Sequence, residues 1–505
     1  MTGVPRVDWV ALAPVWLPAA ALLLVLLLDA VLPRRGRWVP RVLDAVSVLG
    51  LLAAGAMVVR LAARKEVRGT ICVPSGLAEP ASCSYVASQL TLTLQAVLLA
   101  GALGCLLLAL DGPTAADRTP HHVLLLSATV GAVALAGSRD LASLTIALET
   151  ATLPAIALVA LRRDARSAQA GVTFLLTALG SLGMLLLGVA LLYVATGSLF
   201  LTRIAAALSA EQAGELPATV VAVAVLGVLF AVAGIGFKLS AVPFQLWTPD
   251  TYAGAPLPVS AFLAVVSKAA GLAGLAVLLA IGLPGLAGHW GPVLGGLAAL
   301  TITVGNLVAL QQRGAVRLLA WSAVAQAGWI LLPLAAAGHG RDGVRAALSA
   351  SAGYLLAYGL ATLAAFTVVV LVSRHHPDGE RHTLDAYTGL IRREPVAATV
   401  LGFALACLAG LPPGVMGLVA KVIAVRPVVD AQQWPLALIA AVNVVLALVY
   451  YLRWAGLLVQ RPEGEPPTWR VTTAEGLVLG GAGAGCLLLS VFPQAVAGLL
   501  PALLR

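Results

Sequence analysis

The chain has 505 residues, of which 60% are hydrophobic and only 10% charged, with a formal net charge of +9. That composition excludes an ordinary soluble domain, because apolar runs of about 20 residues, each able to cross a bilayer, recur along the whole length. The basic residues fall in short loops between those runs, which points to orientation in a membrane and away from a nucleic-acid partner.

In chain order, apolar length predicts an all-α polytopic membrane protein of about fourteen spans. They lie near 9–32, 42–60, 85–110, 121–137, 140–161, 168–195, 217–242, 256–281, 291–310, 316–337, 346–373, 395–425, 436–459 and 474–500. The first run has no strongly basic lead and is followed by Arg34, Arg35 and Arg37, so it is expected to be a retained span and not a cleaved signal peptide. Arginines are more numerous in loops after odd-numbered spans than on the other side, where Arg6 also falls. The positive-inside rule then places both termini outside the cytoplasm. Residues 1–505 are read as one membrane domain. Its expected parts are three N-terminal helices in 1–110, a first repeat in 121–281, a second in 291–459 and a C-terminal helix in 474–500.

The repeat is suggested by paired features. Phe174 matches Tyr354, Lys238 matches Lys421, and Pro243 matches Pro413, at similar offsets along the chain. Five spans per copy, an odd number, would invert the second copy relative to the first. Helices interrupted at matching places in two halves point to a transport site. The seventh span is expected to break at Leu239, because Pro243 lacks an N–H and blocks the carbonyl four residues back. Pro412 and Pro413 are expected to break the twelfth span.

Five cysteines are present. Cys105, Cys407 and Cys486 lie in apolar runs and read as small core residues. Cys72 and Cys83 flank a polar loop; they form a disulfide if that loop is extracytoplasmic, or stay as two thiols. The chain has no CxxC pair, no His/Cys cluster and no Gly-rich phosphate loop, so no redox centre, cofactor or metal is expected within it, and no catalytic residue in the chemical sense.

The informative residues are charges inside spans: Glu149, Lys238, Lys268, Lys421 and Arg453. Such groups cost several kcal/mol unless paired or wetted, and they mark ion paths. Glu149 is expected to act as counter-ion and proton acceptor for Lys238, the plain alternative being a bond to Thr145 one turn back. Moving the carboxylate away would let the lysine release its proton. Lys268 lies too deep to snorkel, whereas Lys421 either mirrors the Lys238 site or snorkels. Arg453 reads as an interface anchor. Asp250 is expected to cap the segment after the first break. Gln245, Gln326, Asn306 and Asn443 either hold water or pack helices. The histidines carry no assigned role.

FKLSAVPFQLWTPDTYAGAPLPVSAFLAVVSKAAG (237–271) resembles the signature of the subunit N family of bacterial NADH-quinone oxidoreductase, respiratory complex I. That family belongs to the antiporter-like subunits shared with multisubunit Na+/H+ antiporters. ALETATLPAIALVALRRDARSAQAG, NLVALQQRGAVRLLAWSAVAQAGW and CLAGLPPGVMGLVAK are similar to its fifth-, tenth- and twelfth-helix regions. The resemblance covers roughly Leu124 to Arg453. It implies fourteen helices, two inverted five-helix repeats, and proton translocation at mid-membrane through Glu149, Lys238, Lys268 and Lys421. The chain departs from the family pattern at Thr173, where a lysine is usual, at Gln245 and Gln326, where histidines are usual, and at Ala253, often a glutamate. Thr173, Gln245 and Gln326 would then be a water-holding relay.

The expected function is a proton-translocating membrane-arm subunit in a cell inner (cytoplasmic) membrane. NADH, FMN, iron–sulfur clusters and quinone would sit in partner subunits. The alternatives are a subunit of a multisubunit cation/proton antiporter and a non-pumping scaffold of the membrane arm.

Overall fold

The computed structural model describes residues 7–32, 38–73, 82–110, 118–212, 216–338, 341–375, 382–461 and 471–495. Arg6, Arg34, Arg35, Arg37 and the end of the last predicted span, 496–500, lie outside them. Among the described residues 13 helices are long and apolar enough to cross a membrane. The fourteenth crossing is the interrupted twelfth span, built from α16 (Pro395–Ala409) and α17 (Val415–Asp430).

The N-terminal part holds α1 (Ala13–Val31), α2 (Val39–Arg64) and α3 (Gln89–Ala109). Before α3 the chain forms an antiparallel hairpin of β1 (Arg68–Cys72) and β2 (Cys83–Ala87), tied by a Cys72–Cys83 disulfide. The third span, expected from 85, begins at Gln89. Ser88 accepts a hydrogen bond from Thr91 N and caps the helix there, leaving Tyr85 and Val86 to pair as strand.

Then follow α4 (Arg118–Gly137), α5 (Leu141–Val159), α6 (Ala165–Thr196), α7 (Leu201–Gln212) and α8 (Ala218–Leu239). The short α7 is an element the sequence reading does not place. Leu201, Ile204 and Leu208 are buried on one face of it, the spacing of an amphipathic helix that is too short to span. Next come the small α9 (Thr248–Gly254) and the eighth span. That span is not uniform: α10 (Leu257–Phe262), a π-helical segment (Leu263–Ser267), α11 (Lys268–Val277) and a second π segment (Leu278–Gly282) follow one another. The chain continues through α12 (Ala287–Leu310), α13 (Ala315–Leu331), α14 (Arg341–His375), the one-turn α15 (Leu390–Arg393), α16, α17, α18 (Trp434–Val459) and α19 (Thr473–Val491).

The eighth, tenth and eleventh spans form the centre, with 100%, 94% and 89% of their most apolar windows buried, against 22% for α1. Between lipid-facing helices the hydrophobic effect gives no net drive, so small residues that let backbones touch decide the packing. A Cβ added to Gly131 on α4 would lie 2.3 Å from Ala151 N on α5. A Cβ on Gly305 of α12 would lie 2.4 Å from Ala325 N on α13. Gly305 follows Gly131 at the same offset at which Ala325 follows Ala151, so one close crossing is used twice, at α4–α5 and at α12–α13.

The equivalence generates a prediction. Gly131→Val should force α4 and α5 apart and destabilise the detergent-solubilised protein by about 1–3 kcal/mol or more. Gly183→Ala, where an added Cβ meets nothing within 4 Å, should leave the melting temperature unchanged or raised. Equal melting temperatures for the two variants would contradict the packing described.

Candidate functional site

The site is built on two helix breaks. The helix α8 ends at Leu239, and Ser240 turns into the left-handed region with φ 63°. The helix α16 ends at Ala409, and Gly410 does the same with φ 79°. Each end is closed by a backbone bond from the second residue beyond it: Ala241 N to Gly236 O at 3.0 Å, and Leu411 N to Ala406 O at 3.0 Å. The prolines act at the distance expected from the sequence. Pro243 and Pro413 each remove the N–H that the carbonyl four residues back, of Leu239 or Ala409, would have used.

A freed carbonyl at membrane depth must be satisfied from within the protein. Lys268 Nζ reaches the Leu239 carbonyl at 2.6 Å, and Lys421 Nζ reaches the Ala409 carbonyl at 2.5 Å. Leu239 and Ala409 are separated by the same offset as their prolines. The two ammonium groups therefore hold equivalent atoms, and each lies against the negative end of a helix dipole. Lys268 comes from the next crossing, directly after the first π segment; Lys421 comes from the continuation of its own broken helix. Lys421 thus holds the carbonyl equivalent to the one that Lys268 holds, and does not take the expected position equivalent to that of Lys238. Lys421 is buried and lies 5.4 Å from the centre of the Trp329 ring, so it does not snorkel.

Lys238 stands apart. It lies in the last turn of α8, is 2% exposed, and donates to Thr152 Oγ1 at 2.9 Å and Ala151 O at 3.3 Å on α5. Thr152 Oγ1 in turn donates to Leu148 O at 2.7 Å. Pro154 removes the N–H that the Thr150 carbonyl would have used, one residue before the Ala151 carbonyl that Lys238 reaches. The expected direct Glu149–Lys238 ion pair is absent: no carboxylate oxygen of Glu149 lies within 4.0 Å of the ammonium, though their charges interact. Thr152, one turn along α5 on the face shared with Glu149, takes the ammonium instead. The plain alternative is not formed either: no hydrogen bond joins Glu149 to Thr145, whose hydroxyl donates to Leu141 O. Glu149 is half-buried.

Three of the four departures from the family pattern, those with polar side chains, occupy different surroundings. Thr173 is half-buried on α6. Gln245 sits in the turn after the first break, with its Oε1 buried and unpartnered. Gln326 is 3% exposed and fully engaged: Nε2 donates to Tyr451 Oη at 3.1 Å, and Oε1 accepts from Tyr354. Asn306 and Asn443 bind one another across α12 and α18, Nδ2 to Oδ1 at 3.0 Å, and so pack helices. Asp250 does not cap α9; it lies in the first turn and pairs with exposed Arg317. Arg453 is exposed and ties α18 to the Leu310 carbonyl at 3.1 Å.

Sequence reasoning missed Thr152, Ser322 and Tyr358. The usable signals were the i,i+3 spacing of Thr152 from Glu149 and the i,i+4 spacing of Tyr354 and Tyr358 in an otherwise apolar helix. Among the described residues no group of three or more His, Cys, Asp and Glu side chains is arranged to hold a metal ion. The arrangement provides fixed, buried positions where three amines are held by neutral oxygens.

A double-mutant cycle tests the Lys238 contact. Thr152→Val keeps the side-chain shape and removes the acceptor. It should destabilise the protein by about 1–3 kcal/mol when Lys238 is present and by clearly less in a Lys238→Met background. Equal effects in both backgrounds would contradict the bond.

Comparison with known proteins agrees with this architecture. The family description "NADH:quinone oxidoreductase/Mrp antiporter, TM" matches residues 138–447, which include both breaks and all three buried lysines. A Streptomyces griseus protein named NADH-quinone oxidoreductase subunit N 2 is 45% identical over 93% of this chain and 86% of its own length. A Deinococcus radiodurans protein named NADH-quinone oxidoreductase subunit N is 36% identical over 94% of each. A chain of respiratory complex I from Thermus thermophilus superimposes with a TM-score of 0.77 at 30% identity, covering 97% of this chain and 99% of that one. A chain of the Mrp complex from Dietzia shares the fold alone, with a TM-score of 0.83 at 22% identity over 98% and 97% of the two chains. The chain belongs to the NADH:quinone oxidoreductase/Mrp antiporter membrane-subunit family and, within it, to subunit N of NADH-quinone oxidoreductase.

Proposed function

We propose that this protein translocates protons as a membrane-arm subunit of a complex I-type enzyme, using Glu149, Lys238, Lys268 and Lys421 as its charged groups. The observation that carries the reading is the burial of three lysines at 2%, 0% and 5% exposure, each bonded to neutral oxygens only. A buried cation held for stability alone is usually paired with a carboxylate or replaced by an apolar side chain. Neutral acceptors leave an amine free to exist with or without its extra proton, as a carrier requires. Glu149, which the sequence places near the middle of its span, biases Lys238 without binding it. Electron transfer, and the NADH, FMN, iron–sulfur clusters and quinone that it needs, belongs to partner subunits.

The orientation with both termini extracytoplasmic draws support from the hairpin. Its disulfide lies in the loop between the second and third spans, on the side of the N-terminus, and such bonds persist outside the reducing cytoplasm. The repeat boundaries 121–281 and 291–459 remain our division of one membrane domain.

The test is NADH-driven proton uptake into sealed membrane vesicles, comparing wild type with Lys238→Ala after native gels confirm that the complex assembles. The expected result is loss of pumping with assembly intact, and wild-type pumping insensitive to removal of Na+. Unchanged pumping in the variant would overturn the reading in favour of a scaffold subunit. Pumping that requires Na+ would overturn it in favour of cation exchange.

A further inference from the structure

Between Lys268 and Lys421 the polar groups change in kind. The second half has no counterpart to Glu149: at the offset of the paired glycine crossings the chain carries Ala323. Hydroxyls and one amide fill the interval instead. The Ala264 carbonyl, in the π segment that precedes Lys268, accepts from Tyr358 Oη at 2.9 Å. Tyr354 lies one turn before Tyr358 on α14 and donates to Gln326 Oε1. Gln326 Nε2 donates to Tyr451 Oη at 3.1 Å and reaches Leu408 O at 3.4 Å. Ser322 bonds the same Tyr451 hydroxyl. Leu408 adjoins Ala409, whose carbonyl holds Lys421. The Trp329 ring near Lys421 stacks on Tyr354 with centroids 5.8 Å apart. The groups thus lie between the π segment that precedes Lys268 and the helix end that holds Lys421.

Buried tyrosines ordinarily find one partner and stop there. Here both tyrosine hydroxyls converge on one amide, as donor at one end and acceptor at the other. In addition, Ser267 beside Lys268 and Tyr252 have buried hydroxyls with no protein partner, and unsatisfied buried hydroxyls of this kind call for water. The matching position in the first half, Phe174, is also stacked on a tryptophan, Trp247, with no hydroxyl at all. Packing alone is therefore satisfied there by phenylalanine.

We propose that Tyr354 and Tyr451, set on the two ends of the Gln326 amide, carry the proton between Lys268 and Lys421; the proposal rests on the proton-translocation reading above. Lys268 gives up a proton and becomes a neutral amine, and Lys421 takes one and becomes an ammonium. Each hydroxyl accepts a proton on a free lone pair and releases the one it held, so neither tyrosine ionises. Water bridges the step between the two hydroxyls. An amide neither gains nor loses a proton readily, so Gln326 is a positioning residue that fixes which hydroxyl donates and which accepts.

The test uses the assembled complex in sealed vesicles and reads proton uptake per NADH oxidised, with native gels as the check on assembly. Tyr354→Phe and Tyr451→Phe each keep the buried ring and remove one hydroxyl. Each should lower the ratio by roughly tenfold or more. Tyr387→Phe, whose ring packs on Trp454 and which makes none of these hydrogen bonds, should leave it unchanged. Gln326→Leu should lower the ratio, and Gln326→His, which can carry a proton itself, should restore it. Normal ratios in both tyrosine variants, alongside lost pumping in Lys238→Ala, overturn this link while leaving the proposed function standing. Normal pumping in Lys238→Ala overturns both. If one tyrosine variant fails to assemble, the other and Gln326→Leu decide the matter in the same way.

Discussion

A peptide carbonyl without a donor cannot be left bare at membrane depth. Pro243 and Pro413 each create one, at Leu239 and Ala409, and each is met by a buried ammonium, from Lys268 and Lys421. The break and the lysine explain one another. Without the proline the carbonyl would be spent within its helix and the lysine would have no acceptor. Without the lysine the exposed helix end would carry a desolvation cost of about 1–3 kcal/mol. The rest of the bundle encloses these points: the eighth, tenth and eleventh spans are almost wholly buried, and close glycine crossings such as Gly131 and Gly305 hold their neighbours at backbone contact.

The two halves share a frame but differ in chemistry. The frame is the pair of breaks, at Leu239 and Ala409, and the pair of glycine crossings, at Gly131 and Gly305, which recur at nearly the same offset. The first half adds Lys238 and Glu149, charged groups that interact without touching. The second half has no counterpart to either: Leu408 stands where the offset of the breaks would put a partner for Lys238, and Ala323 where the offset of the crossings would put one for Glu149. It adds Gln326 and the tyrosines. Under the proposed function, one half would bias a charge and the other would pass it on.

Apolar length made nearly all of the crossings legible, because the bilayer imposes it on each helix separately. The breaks were legible for the same local reason: a proline acts on the carbonyl four residues back, so Pro243 marked Leu239 in the sequence itself. What failed was pairing. Lys421 looked like the partner of Lys238 because both are lysines near prolines, but equivalence is set by which carbonyl each holds, and that depends on two helices at once. Glu149 and Lys238 were matched by charge, while Thr152 takes the ammonium in space. The hairpin and α7 were missed because neither is long enough to announce itself against apolar runs. The Gln326 cluster draws on α13, α14 and α18, and no spacing along the chain connects three helices.

The central claim is that the lysines on the break carbonyls are proton carriers as well as caps. Lys268→Met keeps the length of the side chain and removes its charge and donors. The deciding measurement is the number of protons pumped per NADH oxidised in sealed vesicles, with the complex shown to be assembled. The account predicts that pumping is lost while the assembled complex persists. Pumping at the wild-type ratio would contradict it, and would leave Lys268 as a structural cap for the Leu239 carbonyl.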